Sequence, residues 1–581
     1  MDKIKTDVLV VGSEGAGARV AIEAKKLGAE TLIVTEGVIG RCGATVTADM
    51  DIDVCSLHAK EMFDLPGDPK DTPLSFMYDM VTEGKFMNNQ KIVWIHVNEA
   101  GPRVKELVDW GMKVEGLIRS PGHKFPRGII STGRSMVEAL KGEVKRLGIE
   151  IVEETIITDL LTDHGRIAGV VGLSIRDGEF KLFQSKAVVL ATGGAMRIYP
   201  RTTAPEELTG DGIAQAYRIG AELVDMEFPM FLPACIVWPP GMLGVDLPYI
   251  SSTVLHGWWL NKYGERFMEK WDHKRMEDTT RDVASIAQMM EILEGRGGPH
   301  GGIFVSYRHL SQEMVDYSAE WQPWWRNYRY GNFDLKEYGF DLKDHGFEAA
   351  PASHYWNGGI RIDEKSATNI PGLYATGEII GGNMGANRLS GNAVTECVVW
   401  GARAGKYAAE YAKKTSPPEI DTKQVENGRK RVNAPMERKE GVKPAELREG
   451  IQTLALTYVG PVRHGTGIEK ALSEIEQMKT KNLPNVYVTA KETVYNTEWV
   501  RALQVESMLQ VLEIVARSSL MRKESRGAMY RRDYPKTDNK NWLKNIIVRK
   551  EGSKMKLMTR PIVVTKIKPP PRKMVPYWVP G

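Results

Sequence analysis

The sequence has few cysteines, and none of them belongs to a pair with metal-binding spacing. The four are Cys42, Cys55, Cys235 and Cys397, and no two form a C-x-x-C arrangement. The chain therefore lacks an evident means of holding its own iron–sulfur cluster or structural zinc, and we predict no metal site. Single, scattered thiols are typical of a reducing compartment.

The sequence also lacks a stretch that could cross a membrane. Its most apolar later segment, residues 228–245, is interrupted by four prolines, which a membrane helix does not tolerate at that density. The opening MDKIKTDVLVV has neither the long apolar region nor the cleavage site of a secretory signal. We expect a cytoplasmic chain that is not itself transmembrane and reaches the inner face of a membrane only through partners.

A strong charge of one sign is absent as well. The net charge is +4 over 581 residues, with 42% hydrophobic and 26% charged residues. These proportions are those of a globular protein, and the length suffices for several domains. We predict no nucleic-acid partner.

A dinucleotide-binding unit opens the chain. An apolar strand at 7–11 runs into glycines, a helix is predicted at 15–28, and a second strand at 29–36 ends in Glu36. In such a βαβ unit, an acid about 20 residues after the glycine loop binds a ribose hydroxyl. The segment therefore predicts a nucleotide site.

The glycine loop carries an acid where the usual pattern has its second glycine. Gly12, Gly15 and Gly17 preserve the tight turn and the close helix packing, whereas Glu14 replaces the expected glycine. We interpret Glu14 as tolerated, with its side chain directed away from the phosphates, towards solvent or a basic neighbour such as Arg19.

Two further strand ends carry glycines, ATGG at 191–194 and GLYATGE at 372–378. In two-dinucleotide flavoproteins, separated segments of this kind converge on FAD, with Glu36 and Glu378 accepting hydroxyl hydrogen bonds. The predicted cofactor-binding residues are Gly12, Glu14, Gly15, Ala16, Gly17, Glu36, Gly43, Ala44, Thr45, Ala191, Thr192, Gly193, Gly194, Asp211, Glu378, Arg388, Gly391, Asn392 and Ala393.

Ordered motifs along nearly the whole chain carry a resemblance to a known family. They are AVVLATGG, TTAPEELTGDGIAQA, DMEF, NKYGERFMEKW, TRDVAS, HYWNGGI, GLYATGE, GANRLSGNA and RKESRGAMYRRDYP. The chain resembles the flavoprotein subunits of the succinate dehydrogenase/fumarate reductase family, whose relatives include L-aspartate oxidase and the adenylylsulfate reductase α subunit. The resemblance implies an FAD-dependent enzyme that exchanges a hydride between flavin N5 and a carboxylic acid substrate.

The resemblance also assigns catalytic residues. Arg281, in TRDVAS, matches the arginine that delivers or accepts the proton, and Asp282 beside it is a relay or supporting group. His354 and Arg388 match the pair that binds the substrate carboxylate. Arginine suits this work because its planar fork grips a carboxylate in two places.

The sequence departs from the family pattern after DMEF. Leu232 stands where the family has a substrate-binding histidine, and Ala234 stands where it has a threonine. We expect two polar contacts to be missing from one side of the cavity, which argues against succinate or fumarate and for a half-apolar acid or acyl thioester. His256 is a candidate to restore one contact.

A second departure concerns the cofactor and the electron source. Ala44 occupies the position of the histidine that tethers FAD in membrane-bound members, so we expect non-covalent FAD and a bias towards substrate reduction. The family usually receives electrons from an iron–sulfur subunit, and the resemblance implies such a partner here.

The predicted fold is α/β. We expect a discontinuous two-dinucleotide, Rossmann-like FAD-binding domain (1–234 and 346–430) with an inserted α+β capping domain (235–345), then a C-terminal helical domain (431–543). Residues 544–581 contain ten Lys or Arg and one acid, a composition that builds no core of its own. They are interpreted as a basic, proline-containing tail, either solvated or extended along a partner.

Two alternatives to an enoate reductase remain open at this point. One is related flavin chemistry on another substrate, as in L-aspartate oxidase or adenylylsulfate reductase. The other is an electron-transfer or scaffold subunit that keeps FAD without turning over a substrate.

Overall fold

The structure, a computed structural model, describes residues 3–246, 249, 252, 256–315 and 347–577. Parts of the predicted cap, chiefly residues 316–345, and the end of the predicted tail lie outside the described residues.

Helices and strands alternate through the first half of the described chain. The α-helices are α1 (Gly15–Lys26), α2 (Gly43–Val46), α3 (Ser56–Phe63), α4 (Pro73–Glu83), α5 (Gln90–Asp109), α6 (Gly133–Arg146), α7 (Asp211–Arg218), α8 (Arg281–Leu293), α9 (Asn392–Lys414), α10 (Thr422–Glu437), α11 (Pro444–Val459), α12 (Gly465–Gln477) and α13 (Thr497–Met521). The strands are β1 (Lys3–Val11), β2 (Thr31–Val34), β3 (Asp49–Asp53), β4 (Gly116–Ile118), β5 (Gly128–Thr132), β6 (Glu150–Val152), β7 (Thr155–Asp163), β8 (Arg166–Ser174), β9 (Phe180–Leu190), β10 (Leu223–Val224), β11 (Pro229–Trp238), β12 (Trp258–Leu260), β13 (Ile303–Ser306), β14 (Phe347–Trp356), β15 (Gly359–Arg361), β16 (Leu373–Ala375), β17 (Ile380–Gly381), β18 (Val462–Arg463), β19 (Tyr530–Arg531), β20 (Lys536–Asp538), β21 (Lys544–Glu551), β22 (Lys554–Pro561) and β23 (Met574–Pro576).

A largely parallel sheet forms the centre of the molecule. Its order is β6-β2-β1-β9-β8-β7, with β16 also paired to β9, and β6, β2, β1, β9 and β16 run parallel. Strands buried on both faces read as continuous apolar runs, as the VLVV of β1 does. The carboxyl ends of parallel strands meet at one edge, which brings the three predicted glycine segments together. The predicted α/β, Rossmann-like fold is confirmed.

A second, antiparallel sheet forms the cap, in the order β11-β14-β13-β12, and α8 packs against it. Its apolar core is separate from that of the central sheet and includes Leu232, Trp259 and Phe347. The sheet begins at Pro229 and ends at Trp356. It therefore extends beyond the limits of 235 and 345 expected from the sequence, because β11 and β14 connect the cap to the FAD-binding part.

The basic C-terminal segment differs from the expected free tail or partner-bound arm. Strands β21 and β22 form a hairpin, and β21 pairs with β10 inside a five-stranded sheet. Further along, the side chain of Gln90 accepts hydrogen bonds from the backbone of residues 565–567. Ile546, Ile547 and Val548 are buried in the hairpin, so the segment adds to an existing core rather than building its own.

Candidate active site

A cavity of about 580 Å³ lies between the carboxyl edge of the central sheet and the cap. It is bounded by the first glycine loop, the ends of β2, β9 and β16, the start of α9, and the cap loop at 243–246. Most of the predicted site residues line it: Gly12, Glu14, Ala16, Glu36, Gly43, Ala44, Thr45, Ala191, Thr192, Gly193, Asp211, Arg281, His354, Glu378, Arg388, Gly391 and Ala393.

Three predicted glycines lie behind the cavity wall and shape it. A Cβ on Gly17 would stand 2.0 Å from the carbonyl oxygen of Gly12, so glycine is required where α1 crosses the loop. The backbone N–H of Gly15 donates to Thr45 Oγ1 at 3.3 Å. Gly194 follows the strand end of β9, and its neighbour Gly193 reaches the cavity.

Asn392 and Asp282 also stand behind the wall. Asn392 is buried, and its side chain donates to the carboxylate of Asp53 at 2.6 Å. Asp282 is buried too; it accepts from Thr280 Oγ1 at 2.6 Å and pairs with Lys85 at 3.2 Å. Both residues support neighbours that line the cavity.

The cavity is built to receive phosphates. Helices α1 and α9 both begin at its wall, and neither has a side chain capping its first turn. Their N–H groups and helix dipoles therefore form a ready anion site. Gly12 has φ of 107°, and a Cβ there would stand 2.3 Å from the carbonyl oxygen of Ala191, so only glycine keeps this approach clear.

Several polar atoms in the wall also fit a polar ligand. Among the described residues, Thr192 Oγ1, Thr376 Oγ1, Glu14 Oε2 and Glu207 Oε2 are buried without a hydrogen-bond partner. Each such atom costs about 1–3 kcal/mol if it is left unsatisfied. A bound dinucleotide with hydroxyl groups and ring nitrogens would supply partners, so the residues present fit FAD.

Glu14 points neither to solvent nor to Arg19, contrary to the expectation from the sequence. Its side chain packs over Gly43, where a Cβ would stand 2.4 Å from Glu14 Cγ, and its carboxylate lies 3.7 Å from Cys42 Sγ. Arg19 faces α5 instead and pairs with Glu106 at 2.6 Å. The absent side chain of Gly43 leaves the space that Glu14 occupies, and burial there raises the pKa of Glu14 to about 7.

The two acids predicted to accept cofactor hydroxyls both line the cavity. Glu36 accepts from Gln504 Nε2 at 2.8 Å, and burial together with the nearby Asp211 raises its pKa well above the ordinary value. Glu378 accepts from the backbone N–H of Trp356 at 2.8 Å, and burial raises its pKa to about 7.

Three cationic or potentially cationic groups meet at the cap end of the cavity. Arg281, at the first turn of α8, donates to Ser390 Oγ at 2.8 Å and lies 3.4 Å from Tyr249 Oη. Arg388 and His354 line the same region from the FAD-binding side. The structure thus brings together the residues predicted to handle the substrate.

The charges in this group affect one another. Burial and the neighbouring guanidinium groups of Arg388 and Arg281 hold the pKa of His354 well below its ordinary value. Burial and Arg281 also lower the pKa of Arg388 to about 10. Burial opposes the charge of Arg281, but Tyr249 and nearby carboxylates outweigh it and hold its pKa above the ordinary value. At neutral pH the site therefore holds two guanidinium cations and an uncharged imidazole.

Leu232 and Ala234 do not line the cavity, contrary to the expectation that they form one of its sides. Both are buried in the apolar core of the cap, where Leu232 pairs with Ala352 across β11 and β14. His256 is exposed, and its carbonyl accepts from His309. It therefore restores no contact at the site.

The sequence analysis missed several residues of the wall. Thr203, which hydrogen-bonds His354, lies inside the TTAPEEL motif but was not singled out. The cap loop contributes Leu243, Val245 and Asp246, and no motif signals them. Only the folding of the cap over the sheet edge brings this loop to the cavity.

A parallel sheet with phosphate-binding glycines at its edge, closed by a cap that carries arginines, defines a flavin-dependent oxidoreductase. Comparisons with known proteins agree. The FAD binding domain model matches residues 7–394, and the fumarate reductase flavoprotein C-terminal model matches residues 448–574.

Individual relatives support the same conclusion. The chain is 35% identical to one of the subunits of the fumarate reductase (CoM/CoB) of Methanothermobacter marburgensis, covering 94% of this chain and 97% of that protein. It is 28% identical to the fumarate reductase flavoprotein subunit of Mycobacterium tuberculosis, with 97% and 98% covered.

Solved structures have the same fold over nearly the whole chain. Sdh1 of Mycobacterium smegmatis aligns with a TM-score of 0.87 at 31% identity, covering 98% of this chain and 96% of that one. E. coli quinol fumarate reductase aligns with a TM-score of 0.88 at 26% identity, with 98% and 99% covered. The chain belongs to the succinate dehydrogenase/fumarate reductase flavoprotein family, and its cofactor is FAD. Within the described residues, no helix is long and apolar enough to span a bilayer.

Proposed function

We propose that this chain is the catalytic flavoprotein subunit of an enzyme that reduces the activated C=C bond of a carboxylic acid, or catalyses the reverse reaction. The observation that carries the proposal is the meeting of Arg281, His354 and Arg388 at one end of a cavity that fits FAD. A scaffold that had lost its substrate would have no need to keep two buried cations beside the cofactor, because buried charges are costly.

Each of the three residues has a distinct task in this proposal. Arg388 and His354 hold the substrate carboxylate, the first through a charged fork and the second through a neutral ring N–H. Bound FAD supplies the hydride to one carbon of the C=C bond. Arg281 then provides a proton to the other carbon. Negative charge developing on that carbon makes it a far stronger base than guanidine, so an arginine of raised pKa is still an adequate acid.

The cofactor is held without a covalent bond in our proposal. Ala44 lines the cavity where tethered relatives carry histidine, and its methyl group offers no nucleophile. Precipitating the flavin-loaded protein with acid should release all yellow colour into the supernatant. Flavin that stays with the denatured chain would contradict non-covalent binding.

Electrons reach the flavin from a separate iron–sulfur protein in our proposal, and any membrane association of this cytoplasmic subunit runs through such partners. The described residues contain no cluster of side chains able to hold a metal, and the sequence offers only four scattered cysteines. Metal analysis of the isolated chain tests this directly. Stoichiometric iron would contradict the proposal.

A substrate screen tests the proposed activity. FAD-loaded protein is mixed with reduced benzyl viologen under anaerobic conditions, and dye oxidation is followed with fumarate, crotonate and an enoyl thioester. We expect oxidation with at least one of these acids. Bound, reducible flavin without turnover of any of them would indicate an electron-transfer subunit instead.

A further inference from the structure

The cap loop at 243–246 is pinned across the substrate end of the cavity. The N–H of Gly244 donates to the carbonyl of Ile236 at 2.9 Å, and Ile236 N–H donates to the carbonyl of Val245 at 2.8 Å. Gly244 has φ of 87°, and a Cβ there would stand 2.8 Å from the carbonyl oxygen of Thr202. The loop therefore packs tightly beside the segment that holds His354 in place.

This loop brings a carboxylate to a site that is otherwise suited to anions. Asp246 lines the cavity together with Arg281, and that guanidinium partly offsets the effect of burial, which raises the pKa of Asp246 to about 6. Asp246 is therefore mostly ionised at neutral pH. Its neighbours in the loop, Leu243 and Val245, are apolar.

The sequence offers no compensating cation nearby. Residues 247–255 read LPYISSTVL and contain no lysine, arginine or histidine. A substrate whose first carboxylate is held by Arg388 and His354 extends past Arg281 towards Asp246. A second carboxylate at that end would meet a like charge in a low-dielectric site, where repulsion is strong.

We propose that Asp246 selects against dicarboxylates and that the substrate is an enoate with a single carboxylate and an uncharged hydrogen-bond donor at its far end. The inference rests on the proposed function and names its substrate class. An amide N–H at the far end would donate to Asp246, whereas a carboxylate has no proton to offer at neutral pH. Discrimination of this kind, set by an unpaired or repelled polar group, reaches large factors.

The reaction itself is unchanged by this selection. A hydride and a proton add across the C=C bond, which becomes CH–CH, while the carboxylate and the amide stay as they are. The two electrons come from two molecules of reduced benzyl viologen, each of which loses one.

Fumarate and its monoamide, fumaramate, form a matched pair of probes because they differ in shape by almost nothing. With FAD-loaded wild-type protein we expect kcat/KM for fumaramate to exceed that for fumarate by at least about tenfold. Asp246→Asn should raise kcat/KM for fumarate and shrink the ratio by about tenfold or more. Asp278→Asn, which neutralises an exposed carboxylate of the cap, should leave the ratio unchanged.

A binding measurement separates failure of this inference from failure of the proposed function. Each probe is titrated into the oxidised, FAD-loaded protein, and the flavin spectrum reports its Kd without turnover. Tighter binding of fumaramate in the wild type, lost in Asp246→Asn, supports the inference even if no dye is oxidised. Equal or tighter binding of fumarate, with a ratio that Asp246→Asn does not move, overturns it.

Discussion

Thr203 Oγ1 lies 2.8 Å from His354 Nδ1, and the two side chains share a hydrogen bond at the cavity wall. Burial and two guanidinium groups keep the imidazole neutral. A neutral ring whose Nδ1 accepts the hydroxyl proton carries its own proton on Nε2, the nitrogen that is left to face the substrate carboxylate. Thr203 thus decides which ring nitrogen acts as a donor.

Replacing this hydroxyl should weaken substrate binding. We expect Thr203→Val to lower kcat/KM by about tenfold, since a net hydrogen bond contributes about 1 kcal/mol and the proton on the ring is no longer fixed. Most of the loss should appear in KM. Thr203→Ser keeps the hydroxyl and should behave as the wild type; equal losses in both variants would show that packing, not hydrogen bonding, is what matters.

The affinity for FAD should depend on pH through Glu14. Its pKa is raised to about 7 by burial, with Cys42 and Glu207 as polar neighbours, so the carboxyl is protonated below that pH and ionised above it. The ionised form repels the phosphates of the dinucleotide. The Kd for FAD should therefore be lowest below pH of about 7 and rise above it, by at most about tenfold per pH unit for one proton.

Matched variants isolate this titration from those of the other acids. Fluorescence titration of apoprotein with FAD should give a flatter pH profile for Glu14→Gln than for the wild type. Glu30→Gln, which removes an exposed carboxylate, should keep the wild-type slope. If the profile of Glu14→Gln is as steep as that of the wild type, another group controls the pH dependence.

Stability should depend strongly on Arg522, which connects distant parts of the chain. It is fully buried, and its guanidinium donates to Glu227 at 2.7 Å and to Glu524 at 2.8 Å. Removing one member of a buried ion pair costs about 3–5 kcal/mol because the remaining charge is left without compensation. We expect Arg522→Met to lower the free energy of unfolding by that amount, as measured by denaturant titration.

Arg532→Met is the matched control for this change. The Arg532 side chain is 45% exposed, and its nearest acid, Glu294, is 3.8 Å away. Such surface pairs contribute about 0–1 kcal/mol, so this variant should unfold nearly as the wild type does. Similar losses in the two variants would mean that the buried network contributes no special stability.

The sequence predicts the cofactor-binding half of the site well, because its signals are local. Gly12, Gly17 and Glu36 sit at fixed spacings within one βαβ unit, and the sheet places them as expected. The direction of Glu14 is not local in this sense. It depends on Gly43, which lies 29 positions later in the chain and leaves a gap that no pattern announces.

The remaining differences have the same origin. The C-terminal hairpin is stable because β21 pairs with β10, more than 300 residues earlier, and composition gives no sign of that pairing. Likewise, the family motif places Leu232 in the substrate wall, whereas the pairing of β11 with β14 turns it into the cap core. The loop carrying Asp246 takes over that position in space.

The central claim, that the cations at the cap end act on a substrate beside the flavin, is tested most directly at Arg281. The FAD-loaded protein is reduced stoichiometrically without oxygen, then mixed in a stopped-flow instrument with whichever enoate the screen identifies, and reoxidation of the flavin is recorded. We predict that Arg281→Ala slows this step by about 10²–10⁴-fold at saturating enoate, while Arg275→Ala, at an exposed position of the cap, reoxidises at the wild-type rate. Reoxidation of Arg281→Ala at the wild-type rate, with flavin content unchanged, would contradict the account.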